Sequence, residues 1–346
     1  MRISALGVMF ALGLSASLAT AADQRGYAGG RFALTVDGKG AGYLKSATGG
    51  GIAADVVVAS SGSSSVQNKH IASPKYEPLT IETVMGSSSV LSEWIDDTLT
   101  QSAQRKNVSF FDCSYDFEVV SELDLSNSLI TEIGFPELNG ANKAAATVTL
   151  QLSSERTQRS AGGGAACPSA DAAAKQKVAA INTFRLELDG VDTKGVASIG
   201  AFTIKRPLST DSVGVGRDVI AEPAKLEIPN LTLYVSRAMG ADFEGWANDF
   251  LIKGNSSDEK EKSGAIWLAD SGGKEVARLA LSHVGISGLT TDPGDPSRYK
   301  VSLYVEGMRF SIGGAKAKER KAVNLAAAKV APTSESKVVP AKATKK

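Results

Sequence analysis

Two stretches of this chain have the same length, begin alike and end alike: LTIETVMGSSSVLSEW, Leu79 to Trp94, and LTLYVSRAMGADFEGW, Leu231 to Trp246. They stand 152 positions apart, and the same offset relates RFALTVDG (Arg31 to Gly38) to TFRLELDG (Thr183 to Gly190). In that frame Phe32, Leu34, Asp37 and Gly38 match Phe184, Leu186, Asp189 and Gly190. Ser46 with Ser198 and Ile52 with Ile204 keep it in between. Repeats of about 20–50 residues stack into solenoids, whereas a period this long is the size of a domain. The chain is therefore expected to be one domain written twice.

Each copy has the period of a strand over most of its length. Phe32, Leu34 and Val36 alternate with Ala33 and Thr35 before Asp37-Gly38, and Phe184, Leu186 and Leu188 repeat this before Asp189-Gly190. Half-buried strands entering tight turns look like this. GIAADVVVA, EPLTIETVM, NVSFFDCSY, YDFEVVSEL and AATVTLQLS extend the pattern in the first copy, and FTIKRPL, AKLEIPNLTLYVSRA, GAIWLAD, EVARLALSHVGISGL and YKVSLYVEGMRFSI in the second. One helix interrupts each set. Val90, Leu91, Trp94, Ile95 and Leu99 follow helical spacing behind Ser87-Ser88-Ser89, and Met239, Phe243, Trp246, Ala247, Phe250 and Leu251 do so in the second copy. Both tryptophans then belong to a buried stripe and pack in the core. The fold class expected is mainly β: two β-barrel or sandwich domains, each with one flanking α-helix.

The ends of the chain have different compositions. MRISALGVMFALGLSASLATAADQ has one basic residue, Arg2, then an apolar run and Ala19-Thr20-Ala21-Ala22, the layout of a secretory signal peptide over residues 1–22. The apolar run is too short for a good membrane span, and no longer one follows, so no transmembrane segment is expected after signal removal. Residues 314–346 carry nine Lys/Arg against two Asp/Glu, a net of +7 in a chain of net +1, so the body is acidic and the tail is basic, Ala/Lys/Pro-rich and disordered in composition. No aromatic is interleaved with these lysines, so no specific nucleic-acid partner is expected. The divisions are thus a signal peptide (1–22), a first domain (23–158), a Gly/Ala/Ser linker (159–180), a second domain (181–313) and the tail (314–346). Export makes Cys113, in VSFFDCSYDFEVV, and Cys167, in SAGGGAACPSADAAAK, possible disulfide partners.

Residues for catalysis do not converge. His70 stands in a loop-like stretch, and His283 stands in a strand where its counterpart by pattern is Asn127. Neither belongs to a serine-nucleophile motif. Gly38-Lys39-Gly40-Ala41-Gly42 has the wrong glycine spacing for a nucleotide loop and reads as a hairpin turn. Asp112, Asp116 and Glu118 could share one face of a strand, but without the glycine turn of a dedicated Ca²⁺ loop they read as solvated surface. Asp258 to Lys262 is a charged run and Asp292 to Pro296 a turn. No catalytic, cofactor or metal residue is assigned, and no enzyme is expected.

The order of elements resembles the tail-tube protein family of contractile-tailed phages. PKYEPLTI (Pro74 to Ile81), the helix around WIDDTL (Trp94 to Leu99), Arg105-Lys106, LSNSLITEIGFPEL (Leu125 to Leu138) and the closing strand Thr147 to Leu152 carry the likeness. In the second copy LEIPNLTL (Leu226 to Leu233), WANDF (Trp246 to Phe250) and LSHVGI (Leu281 to Ile286) do so. The resemblance implies a barrel with a flanking helix whose sheets join side by side around a six-fold lumen, rings that stack into tubes, and kinship with the secreted haemolysin-coregulated proteins. With two copies per chain, three chains would close the ring. The expected partner is therefore the chain itself, as a trimer, together with other envelope or injection-system proteins. An exported binding or carrier module, periplasmic or extracellular, is the alternative expectation.

Overall fold

In LTIETV, Leu79, Ile81 and Thr83 are buried while Thr80, Glu82 and Val84 are half-buried, and LTLYVS buries Leu231, Leu233 and Val235 in the same alternation. One face of each strand is thereby committed to a core, which fixes its register. The computed structural model describes residues 31–59, 67–100, 103–169, 179–211 and 220–313. The signal-peptide and basic-tail expectations lie outside the described residues.

The first half runs β1 (Phe32–Val36), β2 (Lys39–Leu44), β3 (Ser46–Gly49), β4 (Ile52–Ala59), β5 (Asn68–Tyr76), β6 (Leu79–Val84), α1 (Ser89–Leu99), β7 (Lys106–Cys113), β8 (Val119–Phe135), β9 (Leu138–Asn139), β10 (Thr147–Ser153) and β11 (Arg156–Ala161). The second runs β12 (Phe184–Leu188), β13 (Val196–Ile199), β14 (Phe202–Lys205), β15 (Leu208–Asp211), β16 (Ile220–Pro223), β17 (Leu231–Ser236), α2 (Ala241–Ala247), β18 (Lys262–Ala269), β19 (Glu275–Thr291) and β20 (Arg298–Ile312). The fold is mainly β. Strand β11 extends to Ala161, into the stretch expected as linker.

The two large sheets have the same strand order. The first reads β2-β1-β7-β8-β10-β6-β3 and the second β12-β18-β19-β20-β17-β13, ending on β9. The register agrees as well. Ala47 opposite Ile81 corresponds to Ile199 opposite Leu233, and Val108 opposite Leu125 corresponds to Gly264 opposite Leu281. The offset is 152 up to the helices and becomes 156 for β7 and β8 against β18 and β19. Strand β20 spans what β10 and β11 cover together: Leu150 opposite Ile133 matches Val301 opposite Leu289, and Arg156 opposite Ser126 matches Gly307 opposite Ser282. Even the backbone irregularities coincide, since Asn127 and its counterpart His283 have φ of 53° and 52°. Non-glycine residues at positive φ are uncommon, and each sheet holds one at the same register position.

In the first sheet the outer strands β2 and β3 are separated in sequence by Lys45 alone, so the sheet curls toward itself. Lys45 Nζ donates to Glu82 Oε1 at 2.8 Å, as does Thr147 Oγ1, and Ser46 Oγ donates to Oε2 at 3.2 Å. Burial alone would raise the Glu82 carboxyl, but these bonds outweigh it and hold the group below its usual range.

Helix α1 starts at Ser88, whose side chain accepts from the Leu91 N–H, and it buries Leu91, Trp94, Ile95 and Leu99. Helix α2 buries Phe243, Trp246 and Ala247 and continues through a π turn that buries Phe250. Trp94 and Trp246 are thus core residues, as their spacing predicts. Met239 and Leu251 are not: they are 47% and 43% exposed. The regular helix is shorter than the spacing predicts: Met239 lies in the 3-10 turn before α2 and Leu251 in the π turn after it, and the described residues leave both partly uncovered.

Candidate functional site

The halves are joined by a seam in which strands cross over. Strand β14, from the second half, pairs antiparallel with the C-terminal part of β8, from the first: Phe202 lies opposite Phe135, Thr203 opposite Gly134, Ile204 opposite Ile133 and Lys205 opposite Glu132. Strand β9, from the first half, in turn pairs with β13. Phe135 stacks on Phe202 with ring centroids 4.8 Å apart and contacts Phe310 at 6.1 Å, so the core is continuous across the seam. Helix α1 rests on β20, where Asp96 accepts from Arg309 Nε and Nη2 at 2.8 and 2.7 Å and from the Phe310 N–H at 3.0 Å. Arg206 is buried, donates to the Thr98 carbonyl in the last turn of α1 at 2.7 Å, and has its pKa lowered by burial.

Hairpin β15–β16 finishes the seam at a polar cluster. Arg105 Nη2 donates to the Ala221 carbonyl at 2.6 Å and lies 3.4 Å from Glu222, and its Nε donates to Glu155 at 3.2 Å. Asn127 Nδ2 donates to the other Glu155 oxygen at 2.7 Å, and the Ala221 N–H points at Glu155 Oε1, 3.4 Å away.

Equivalent surfaces elsewhere in the molecule are bare. Beyond Val284, β19 is paired only on its β20 side, and no described strand lies along the other side of Ile286 to Thr291, the position that β14 takes on β8. The strand that would match β14 is the start of β4, and it pairs only with β5. Hairpins β4–β5 and β15–β16 share a register at the 152 offset: Val57 opposite His70 matches Ser209 opposite Glu222. Exposure follows this difference in pairing. Ile204 is 1% exposed while its counterpart Ile52 is 58% exposed, and Leu99 is 4% exposed while Leu251 is uncovered. Val56, Val57, Val58 and Ile71 add to the apolar surface of β4–β5. A monomer with this much apolar surface beside an open sheet edge has the features of half an interface.

Residues 29–158 match the family model described as T4-like virus tail tube protein gp19. Over that stretch the chain is similar to the tail-tube family. Three solved structures are similar to parts of the chain. The anti-feeding prophage cap, a tube terminating cap, has 16% identity and a TM-score of 0.34 over 46% of this chain and 96% of its own. The sheath/tube terminator of an extracellular contractile injection system, PVC, has 16% identity and a TM-score of 0.33 over 45% and 100%. The PVC sheath-tube complex has 17% identity and a TM-score of 0.34 over 38% and 88%. No curated protein matches the chain.

Cys113, inside the matched stretch, and Cys167, beyond it, form a disulfide, with Cα atoms 6.2 Å apart. It ties the segment after β11 to the end of β7, in a small core with Ala33, Phe111 and Val119. Asp112 sits on β7 opposite Phe32 and Ser121, whereas Asp116 and Glu118 lie in the turn before β8, and the three are not gathered. Gly38 to Gly42 form the β1–β2 turn and strand β2, with Gly38 at φ 74°.

The structure brings together a group that the sequence reading passed over. Glu261, His283 and Glu306 place their ligand atoms within 4.8 Å of one another. His283 Nδ1 is 2.8 Å from Glu261 Oε2, and the Tyr304 hydroxyl donates to Glu261 Oε1 at 2.6 Å. Burial and then that carboxylate push the Tyr304 phenol up. In the sequence Glu261 is part of a charged run and His283 an ordinary strand residue. The match of His283 to Asn127 was the one available signal, and it pointed to a position rather than to chemistry.

Proposed function

We propose that the protein is a non-enzymatic structural subunit, one tail-tube-like domain duplicated in tandem. It assembles by repeating between chains the seam already present within each chain. The observation that carries this is the crossing of β14 onto β8 beside an equivalent, unpaired edge on β19. A second copy of the chain offers the strand that fits there, the exposed start of β4. Adding a strand to an open edge satisfies backbone groups that otherwise invite indiscriminate pairing.

A contact from the second half of one chain to the first half of the next is heterologous, so it propagates until it closes. The tail-tube resemblance implies six sheets around a lumen, and two sheets per chain then give three chains per ring. The signal-like N-terminus and the Cys113–Cys167 bridge both support assembly outside the cytoplasm. Negative-stain images of the mature protein are expected to show rings, single or stacked, and native mass spectrometry a species of three chains. A monomer persisting at high concentration would overturn assembly and leave an exported binding or carrier module as the better reading.

A further inference from the structure

If chains join as proposed, the contact between them matches the internal seam in backbone but not in charge. Inside the chain Arg105, the residue just before β7, meets Glu222, on the hairpin. At the counterpart positions Glu261 stands just before β18 and the hairpin carries His70, with Lys69 standing where the internal hairpin has Ala221. Glu155, the partner of Arg105, corresponds to Glu306, and Asn127 to His283. The sheet side has changed from cation to carboxylate and the hairpin side from carboxylate to imidazole and ammonium.

We infer that Glu261, His283 and Glu306 form a docking cluster for His70 and Lys69 of a second copy of this chain. This rests on the assembly reading above and gives it a pairing rule. The Glu261 side chain is 6% exposed and oriented by bonds from Tyr304 and His283, so it is held ready before a partner arrives. Lys69 and His70 are exposed on β5, away from the core. His70 can donate a hydrogen bond in either protonation state, and Lys69 supplies fixed positive charge.

Mismatched dockings bring like charges together. A β4–β5 hairpin placed on the first-half cluster would set Lys69 against Arg105, and a β15–β16 hairpin placed on the second-half cluster would set Glu222 against Glu261. First halves therefore dock on second halves of other chains, and the internal seam is not displaced by a neighbour. The other ion pairs of the internal seam are not carried over. Arg309 with Asp96 corresponds to Gln158 with Asn248, and Lys205 with Glu132 to Ala53 with Gly288, so the charge-reversed cluster carries the electrostatic discrimination between seams.

The test is sedimentation of the full mature chain carrying Lys69→Glu and His70→Glu. Assembly is expected to weaken by about tenfold or more, with the thermal midpoint of the dilute protein unchanged. Adding Glu261→Arg to that variant rebuilds the Arg105–Glu222 pair between chains and is expected to restore assembly. Should Glu261→Arg disturb folding through the loss of the Tyr304 bond, Glu306→Lys, at an exposed position, serves the same purpose. A wild-type chain that stays monomeric overturns the assembly reading itself. A wild-type chain that assembles, with the doubly substituted hairpin assembling equally well, overturns the charge-reversed contact and leaves assembly standing. Failure of both second-site changes to restore assembly also counts against the contact.

Discussion

Ile204→Asp is expected to unfold the chain, and Ile52→Asp, at the equivalent position 152 residues earlier, to leave it folded but unable to assemble. Ile204 is 1% exposed in the internal seam, opposite Ile133 and beside the stacked Phe135 and Phe202. Burying a carboxylate there forfeits about 2 kcal/mol of apolar transfer and leaves an unpaired charge costing roughly 3–5 kcal/mol. Their sum approaches the whole stability of an ordinary domain, about 5–15 kcal/mol. Ile52 is 58% exposed on a hairpin whose strands pair only with each other among the described residues, so its replacement should move folding stability by no more than about 0.5 kcal/mol. In an assembly, the same carboxylate would face the apolar edge near Leu289. Thermal unfolding and sedimentation of the two variants separate these outcomes. Equal effects on stability would show that the two positions are not the inner and outer faces of one kind of contact.

The second large effect lies in the Cys113–Cys167 bridge, whose residues are 54 apart in sequence. A loop of that length removes about 4 kcal/mol of chain entropy from the unfolded state, and loss of native bridges typically costs about 2–5 kcal/mol. The double variant Cys113→Ser/Cys167→Ser is expected to melt about 10 °C lower, from roughly 2–4 °C per kcal/mol for a cooperative unit of this size. A reductant should lower the wild-type midpoint by the same amount and leave the double variant unaffected. The bridge fastens the segment after β11 against the start of β8, where Cys167 donates its N–H to the Phe117 carbonyl and Val119 donates to that of Ala165. The loss should therefore be felt first in the first half.

How much of this was legible in the sequence depends on the range of the interaction. The strands, the serine cap of α1 and both buried tryptophans follow from local periodicity, and the structure has them. Met239 and Leu251 have the same helical spacing but are exposed, because periodicity marks a face as apolar without saying what covers it. For α1 the cover is β20 of the other half; for the segment around α2 no such cover lies among the described residues. The crossing of β14 onto β8 was invisible for a related reason. FTIKRPL reads as a strand, yet its partner is nearly seventy residues away and belongs to the other sheet. The docking cluster is hidden by the slip from 152 to 156 after the helices: pattern alone sets Asn127 against His283, but Arg105 falls on Glu261 only once strand register is known.

The repeated seam is tested most directly by cysteines placed on opposite sides of the contact between chains. Ile204 and Ile133 are opposed within the chain, so Ile52 of one chain and Leu289 of another should be opposed between chains, with Cβ atoms at the spacing of a cross-strand pair, about 4.5–5.5 Å. The variant Ile52→Cys/Leu289→Cys, oxidised mildly at assembling concentration and run without reductant, should give a dimer and then a ladder that stops at three chains. No cross-linking under conditions where the wild type assembles would contradict the seam, and a ladder running past three would contradict the closed ring.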